Sequence, residues 1–214
     1  MKTLTKPHLA LTYFTAKDQT RPVLTGVHVE SDTGLACAAD GFKLLVMPLA
    51  ELPDGDYPET PGAGTEPIRE GIIPAAAVVD AVKSLPKHNN ALPALDHVKL
   101  SGGGNGKVVL TTTSLDTVRD ARTPLVTGTF PTYGQLIPAH ISTKEAGRAK
   151  VTTIGLEHLE AIVKAAKAIG SDKVRLQVTD WEAPVRFEML ASSEQRGHYE
   201  TLAYGVIMPM FIED

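Results

Sequence analysis

Residues able to do chemistry are thinly spread in this 214-residue sequence. Its seven histidines (His8, His28, His88, His97, His140, His158 and His198) fall at no HxxxH or HExxH spacing, so no helix offers two imidazoles to one metal. The single cysteine, Cys37, excludes a thiolate zinc site and an internal disulfide. In its apolar stretch it reads as a small buried hydrophobe. Neither a GxSxG elbow nor a GxxxxGK(S/T) loop occurs. The glycine-rich run from Ser101 to Gly106 lies between two strand-like segments, not before a helix, so it lacks the helix N-terminal amides that hold phosphate and reads as a hairpin turn. Asp54 and Asp56 sit in an acidic, proline-rich stretch and read as solvated. No cofactor or metal is implied, and the expectation is a protein that is not an enzyme.

The elements around these residues are short, because fifteen prolines and eighteen glycines punctuate the chain. Two amphipathic helices stand out. One starts at Pro74 and carries Val78, Val79, Val82 and Leu85 before Pro86 stops it; the other runs from Leu156 to Ile169. An apolar stripe of Leu156, Leu159, Ile162, Val163 and Ala166 is expected on the second helix, with Gly170 as its C-cap. Strands are expected at 27–30 and 35–38, at 97–100 and 107–111, at 173–178 and 184–189, and at 204–210. Pro209 within that last strand marks it as a sheet edge. The fold class is α+β. No apolar run reaches the ~20 residues of a membrane helix, and no leader-like segment opens the sequence, so a cytoplasmic protein with no membrane partner is expected.

An internal repeat organises these elements. Val79–Lys83 and Glu160–Lys164 occupy matching places in their helices, and each helix leads to a VxL strand, Val98–Leu100 or Val174–Leu176, and then a hairpin. Leu9 to Phe14, followed by the strands at 27–30 and 35–38, reads as a degraded third copy. Glu51–Gly71 and Ala139–Lys150, the latter with Lys144, Arg148 and Lys150, read as linkers.

Three stretches are less generic: RPVLTGV at 21–27 with AADGFKL at 38–44, GTFPTYGQLIP at 128–138, and VIMPM at 206–210. In this order they resemble the bacterial DNA polymerase III beta sliding clamp, whose chains carry an RPVL-x-G hairpin ending in a TDG-x-RL turn, an FPDY crossover and a closing VMPM strand. The resemblance implies a DNA-clamp fold of repeated strand-helix-meander units, with helices packed on antiparallel sheets. It also implies an apolar pocket for short linear motifs of DNA polymerase and other partner proteins. Leu24, Ala39, Gly41, Phe42, Lys43 and Leu44 would form one wall, Pro131, Tyr133 and Leu136 the floor, and Pro184 would lie beside Val206, Met208, Pro209 and Met210. On composition alone Leu24, Val206 and Met208 would be ordinary core residues.

Departures from the family pattern are Ala39 for the usual threonine, Phe42 for histidine or tyrosine, Lys43 for arginine, and Gly134 and Gln135 where basic residues are usual. The sequence continues past Met210 as Phe211-Ile212-Glu213-Asp214. Family chains hold six units in three domains, whereas three units are legible here. Residues 1–138 resemble the family's middle domain and 139–214 the second half of its last. By the same resemblance Lys83, Lys87, Lys164, Lys167 and Lys173 would face double-stranded DNA without sequence preference, if copies assemble into a ring. The formal net charge of −4 requires such a basic face to be local. Lysines near helix C-termini also complement the helix dipole, which explains them equally well.

Overall fold

A computed structural model describes residues 1–53, 55–58, 66, 68–87, 92–140, 152–180, 182–193 and 198–210. The expected linker at 139–150 falls largely outside these residues, the one at 51–71 only in part, and the tail Phe211–Asp214 wholly. In chain order come β1 (Lys2–Leu4), a 3-10 helix (Lys6–Tyr13), β2 (Gly26–Glu30), β3 (Leu35–Ala39), β4 (Lys43–Pro48), β5 (Ala50–Glu51), β6 (Glu70–Pro74), α1 (Ala75–Lys83), β7 (Val98–Gly102), β8 (Lys107–Thr113), β9 (Val118–Pro124), α2 (Leu156–Ile169), β10 (Lys173–Gln177), β11 (Val185–Ser192) and β12 (Tyr199–Ile207). The strands form two antiparallel sheets, β5-β1-β7-β8-β9 and β10-β11-β12-β4-β3-β2-β6. This is the expected α+β architecture. Among the described residues no helix is long and apolar enough to cross a membrane.

Three units of helix and three-stranded meander are present, and the first two are interlocked by exchange. The leading strand of the first, β1, pairs with β7 of the second, while β6, which leads the second, pairs with β2 of the first. Each meander thus has its first strand covered by the other unit. The N-terminal helix is 3-10 because Pro7 opens it and His8 folds back to cap it, Nδ1 accepting from the Thr5 amide at 2.9 Å. His8 Nε2 lies 3.1 Å from the Pro48 carbonyl, which pins the helix to the end of β4. α1 and α2 both pack against this helix, so the three helices form one layer over the sheets. The core beneath them runs from Leu4, Leu11 and Phe14 through Val27, Ile73 and Val82 to Phe187 and Ile207.

Several expected details differ. Pro74 ends β6, and α1 starts one residue later. α2 has the expected bounds, and Gly170 caps it in the left-handed region at φ 77°. Its buried face, however, is His158, Ala161, Ile162, Ala165 and Ala166, leaving Leu156 and Val163 exposed. The small alanines let α2 approach the 3-10 helix closely, so the helix is turned away from the stripe that hydropathy favours. The last strand ends at Ile207, so Pro209 is not within it. β12 is no edge: it lies between β11 and β4.

The β12–β4 pairing joins the third unit to the first and carries the larger sheet across the 138/139 division. Val206 is opposite Leu44 and Gly205 opposite Leu45. A Cβ at Gly205 would collide with the Leu44 carbonyl oxygen and lie 2.6 Å from Phe187 Cζ, so only glycine admits this approach. Downstream, the crossover is tied to the third unit: Arg186 Nη1 donates to the Pro138 carbonyl at 2.9 Å, Gln177 to that of Ala139 at 2.7 Å, and His140 Nδ1 lies 2.9 Å from Glu188 Oε1.

Two outcomes are expected. Gly205→Ala overpacks this joint and should destabilise the fold by about 3 kcal/mol, read as a lower denaturant midpoint. His8 is neutral in the fold, burial having lowered its pKa from 6.5 to about 4. As pH falls below 6.5 the unfolded chain takes up this proton first, so stability should drop by about 3 kcal/mol between pH 6.5 and 4. His97, lowered chiefly by burial, acts in the same sense. Denaturation midpoints across this range should therefore decline less steeply in His8→Gln; an unchanged slope would remove His8 as the cause.

Candidate peptide-binding site

The cleft begins with a tight turn. Asp40 Oδ1 accepts from the backbone amides of Phe42 and Lys43 at 2.9 and 3.0 Å, and Oδ2 pairs with the Lys43 ammonium. Gly41 takes φ 99° there, and a Cβ on it would strike the Arg21 guanidinium. The turn thereby swings the Phe42 ring outward, 57% exposed, at the start of β4. The Phe42 carbonyl accepts from the Met208 amide at 2.8 Å, extending the β4–β12 ladder beyond its last pair and bringing Met208 to the same rim.

A cleft of roughly 480 Å³ is formed beside this turn. Leu24, Ala39, Leu44 and Val206 make its base; Leu24, Leu44 and Val206 are buried in a cluster with Phe130 and Val46. Gly41, Phe42, Lys43 and Met208 line one side. Pro131, Tyr133 and Leu136 of the crossover also line it, with Leu136 and Met208 substantially exposed. The crossover is held down by Phe130, whose ring stacks on His28 at 4.7 Å and meets Tyr133 edge-on at 6.3 Å. A concave apolar surface with exposed Leu, Met and Phe at its lip can accept a few apolar anchors of an extended segment.

Eleven of the fourteen residues expected from the motifs line this cleft; Pro184, Pro209 and Met210 do not. Pro184 is half-buried in the loop before β11. Pro209 is buried after β12. The Met210 amide donates to the Thr153 carbonyl at 2.8 Å, and its thioether lies against Gly155 just before α2. The chain turns away as soon as β12 ends, and a spacing argument that extends the strand to 210 cannot register this. Thr20, Arg21, Pro22, Val23 and Phe130 also line the cleft. The signal for Arg21, Pro22 and Val23 was their place in the same motif as Leu24; the one for Phe130 was its place before Pro131.

A second groove, of roughly 760 Å³, lies on the other side of Phe130 and Tyr133. His28 and Glu70 line it, and with buried Cys37 behind them they form a row that sequence spacing does not reveal: Cys37 Sγ is 3.7 Å from His28 Nδ1, and His28 Nε2 is 3.0 Å from Glu70 Oε1. The order matches a nucleophile, base and orienting acid, but the thiol is the wrong species. Burial pushes its pKa up to about 12, so it is no thiolate at neutral pH. Tyr133, itself raised mainly by burial, closes this groove with a neutral hydroxyl.

The five lysines expected to face DNA are all exposed. Lys83 is in the last turn of α1 and Lys87 follows it; Lys164 and Lys167 are on α2, and Lys173 opens β10. Lys164 pairs with Glu160 at 2.7 Å and Lys173 with Asp172 at 2.9 Å. Asp80, Glu157 and Glu160 are exposed on the same helices, so the layer carries mixed charge.

Comparison with protein-family models and with curated proteins gives no match. Solved structures do match, over nearly all of this chain. It is similar to a DNA polymerase sliding clamp from Bacillus subtilis at 16% identity, covering 99% of this chain and 64% of that one, with a TM-score of 0.63. For a sliding clamp from Pseudomonas aeruginosa with ligand the values are 15%, 98%, 65% and 0.67. For the DNA polymerase III beta subunit of Thermotoga maritima they are 14%, 100%, 66% and 0.59. The chain therefore has the sliding-clamp fold and spans about 65% of the length of these proteins.

Proposed function

We propose that this protein is a non-enzymatic, clamp-like factor of DNA replication that captures clamp-binding motifs of a polymerase and other proteins in the cleft between β4, β12 and the crossover. The observation that carries this reading is the convergence on one apolar cleft of three stretches far apart in the chain, around Leu24 and Leu44, around Tyr133, and around Met208. A core alone has no need of exposed Phe42, Leu136 and Met208 around a concavity. Leu24 and Met208 are the anchors' main contacts in this reading. Lys43, partly neutralised by Asp40, and Arg21 supply cations along the cleft. In domain terms, residues 1–138 are a complete pair of units and 139–214 a half-domain.

Sequence-independent DNA contact is part of the same proposal, with the helix layer facing the duplex. Four chains of three units would supply the twelve units of a family ring. The mixed charge of that layer favours weak contact that holds only when the chain encircles DNA. The same observation supports a second reading, an adaptor or competitor that keeps the peptide cleft without a ring.

A labelled QLxLF-type peptide should bind the wild-type chain. Leu24→Asp and Met208→Asp should each weaken it at least about thirtyfold, as for loss of a 2 kcal/mol anchor. Leu115→Asp, on the distant β8–β9 turn, should leave it unchanged. Equal affinity in both cleft variants would sink the assignment. For DNA, retention on a circular plasmid should exceed that on a short linear duplex. Replacing Lys83, Lys87 and Lys167 by glutamate should reduce the slope of log affinity against log salt by about 3. Equal retention on both DNA forms would favour the adaptor.

A further inference from the structure

The groove on the far side of Phe130 and Tyr133 carries chemistry that neither the peptide cleft nor DNA contact uses. It lies between the crossover and the face of the seven-stranded sheet turned away from the helices. At one end Glu30 of β2 stands directly opposite Glu70 of β6. Residues paired in this way share a face, and like charges so placed repel. Among the described residues neither carboxylate has a lysine or arginine within 4.0 Å; the neighbour of both is His28. Its Nδ1 is 3.3 Å from Glu30 Oε1 and its Nε2 3.0 Å from Glu70 Oε1. An uncharged imidazole has one N–H to donate, so it satisfies one of the two carboxylates.

The rest of the lining offers no competing cation. Arg186, at the other end, commits its guanidinium to Glu188 and to the Pro138 carbonyl. Among the described residues no group of three or more His, Cys, Asp or Glu side chains is arranged to hold a metal ion, so the glutamate pair faces an organic cation. Tyr133 and Tyr204 add aromatic rings to the lining. An arginine or lysine entering here has carboxylates for its head and aromatic carbon for its stem. The wall itself is shared: Phe130, Pro131 and Tyr133 line both this groove and the apolar cleft. Pro131 and Thr132 are exposed on the ridge between the two, where an extended segment can cross.

We propose that this groove takes a basic residue of the same partner segment whose apolar anchors fill the cleft, and that Glu30 and Glu70 receive it. The proposal rests on the peptide reading and deepens it: the captured segments carry positive charge beside their apolar motif. Arginine fits better than lysine, because a planar guanidinium donates to two carboxylates at once and stacks on rings. Binding also relieves the repulsion between the glutamates, which in the free chain weighs against stability.

Labelled QLxLF-type peptides, extended at one end or the other by Gly-Arg-Arg, Gly-Ser-Ser or Gly-Glu-Glu, test it by fluorescence anisotropy. At one end the Arg-Arg extension should bind about tenfold tighter than Ser-Ser, and Glu-Glu more weakly than either. Glu30→Gln with Glu70→Lys should remove that gain and leave the unextended peptide's affinity unchanged. Should the double variant misfold, Glu70→Lys alone, at a side chain 66% exposed, should still remove most of it. Equal affinity of the three extensions at both ends, or a gain that survives these substitutions, would overturn the proposal. If the unextended peptide fails to bind the wild-type chain, the cleft reading falls, and the groove is tested by itself. N-acetyl-Arg-Arg-amide should then shift the His28 ring resonances, assigned by their loss in His28→Gln, in the wild type and in Leu24→Asp but not in Glu70→Lys. Such shifts would keep the basic-residue site and remove only its link to the motif. Their absence, or a shift produced by magnesium ions and not by the dipeptide, would overturn it.

Discussion

The backbone ladder between β4 and β12 is the joint on which the rest of the structure depends. It brings residues 43–46 and 204–207 into register across more than half the chain, and Gly205 is the position that lets the two strands meet under the Phe187 ring. Three consequences follow from this one pairing. The seven-stranded sheet becomes continuous from β10 to β6. α2 is set down against the 3-10 helix and buries its alanine face there. The Met208 amide reaches the Phe42 carbonyl, which places a methionine from the chain's end on the rim of a turn near its beginning. The cleft is thus a by-product of joining two meanders edge to edge, with the crossover strapped over the seam by Phe130 and by the Arg186 and Gln177 hydrogen bonds.

A second constraint, the need of each meander to have its first strand covered, organises what the joint does not. A lone hairpin or three-stranded edge leaves unpaired amides and a half-open core, which natural sheets cover or pair. Units one and two solve this by exchanging leading strands, and their VxV and VxL positions are buried as a result. The third unit repeats the same sequence pattern at Val174 and Leu176, where among the described residues only β11 pairs with β10 and both side chains are partly exposed.

Legibility in the sequence followed the range of the physics involved. The approximate bounds of α2 were readable because a 3.6-residue pattern and a terminal glycine are local signals, and the β2–β3 and β7–β8 hairpins because turn chemistry is local too. Which face of α2 is buried was not readable. Leucine and valine outrank alanine in hydropathy, but close packing against a neighbouring helix favours alanine, and that neighbour is set by the β4–β12 joint. The end of β12 was missed for a similar reason: Met208 to Met210 continue an apolar run, but the ladder ends with Lys43, its last partner on β4. Eleven cleft residues were named from motifs, not from periodicity. The His28–Cys37–Glu70 row, spread over three strands, has no sequence signature of any kind.

Charge on the helix layer bears on what the fold can do with DNA. A net charge of −4 and the Lys164–Glu160 pair on α2 give no broad positive field, so long-range attraction to phosphate is small at physiological ionic strength. Glu157 and Glu160 occupy the surface where a tight duplex binder would place cations. A protein with this surface gains residence on DNA by topology, through closure around the duplex, or does not gain it at all.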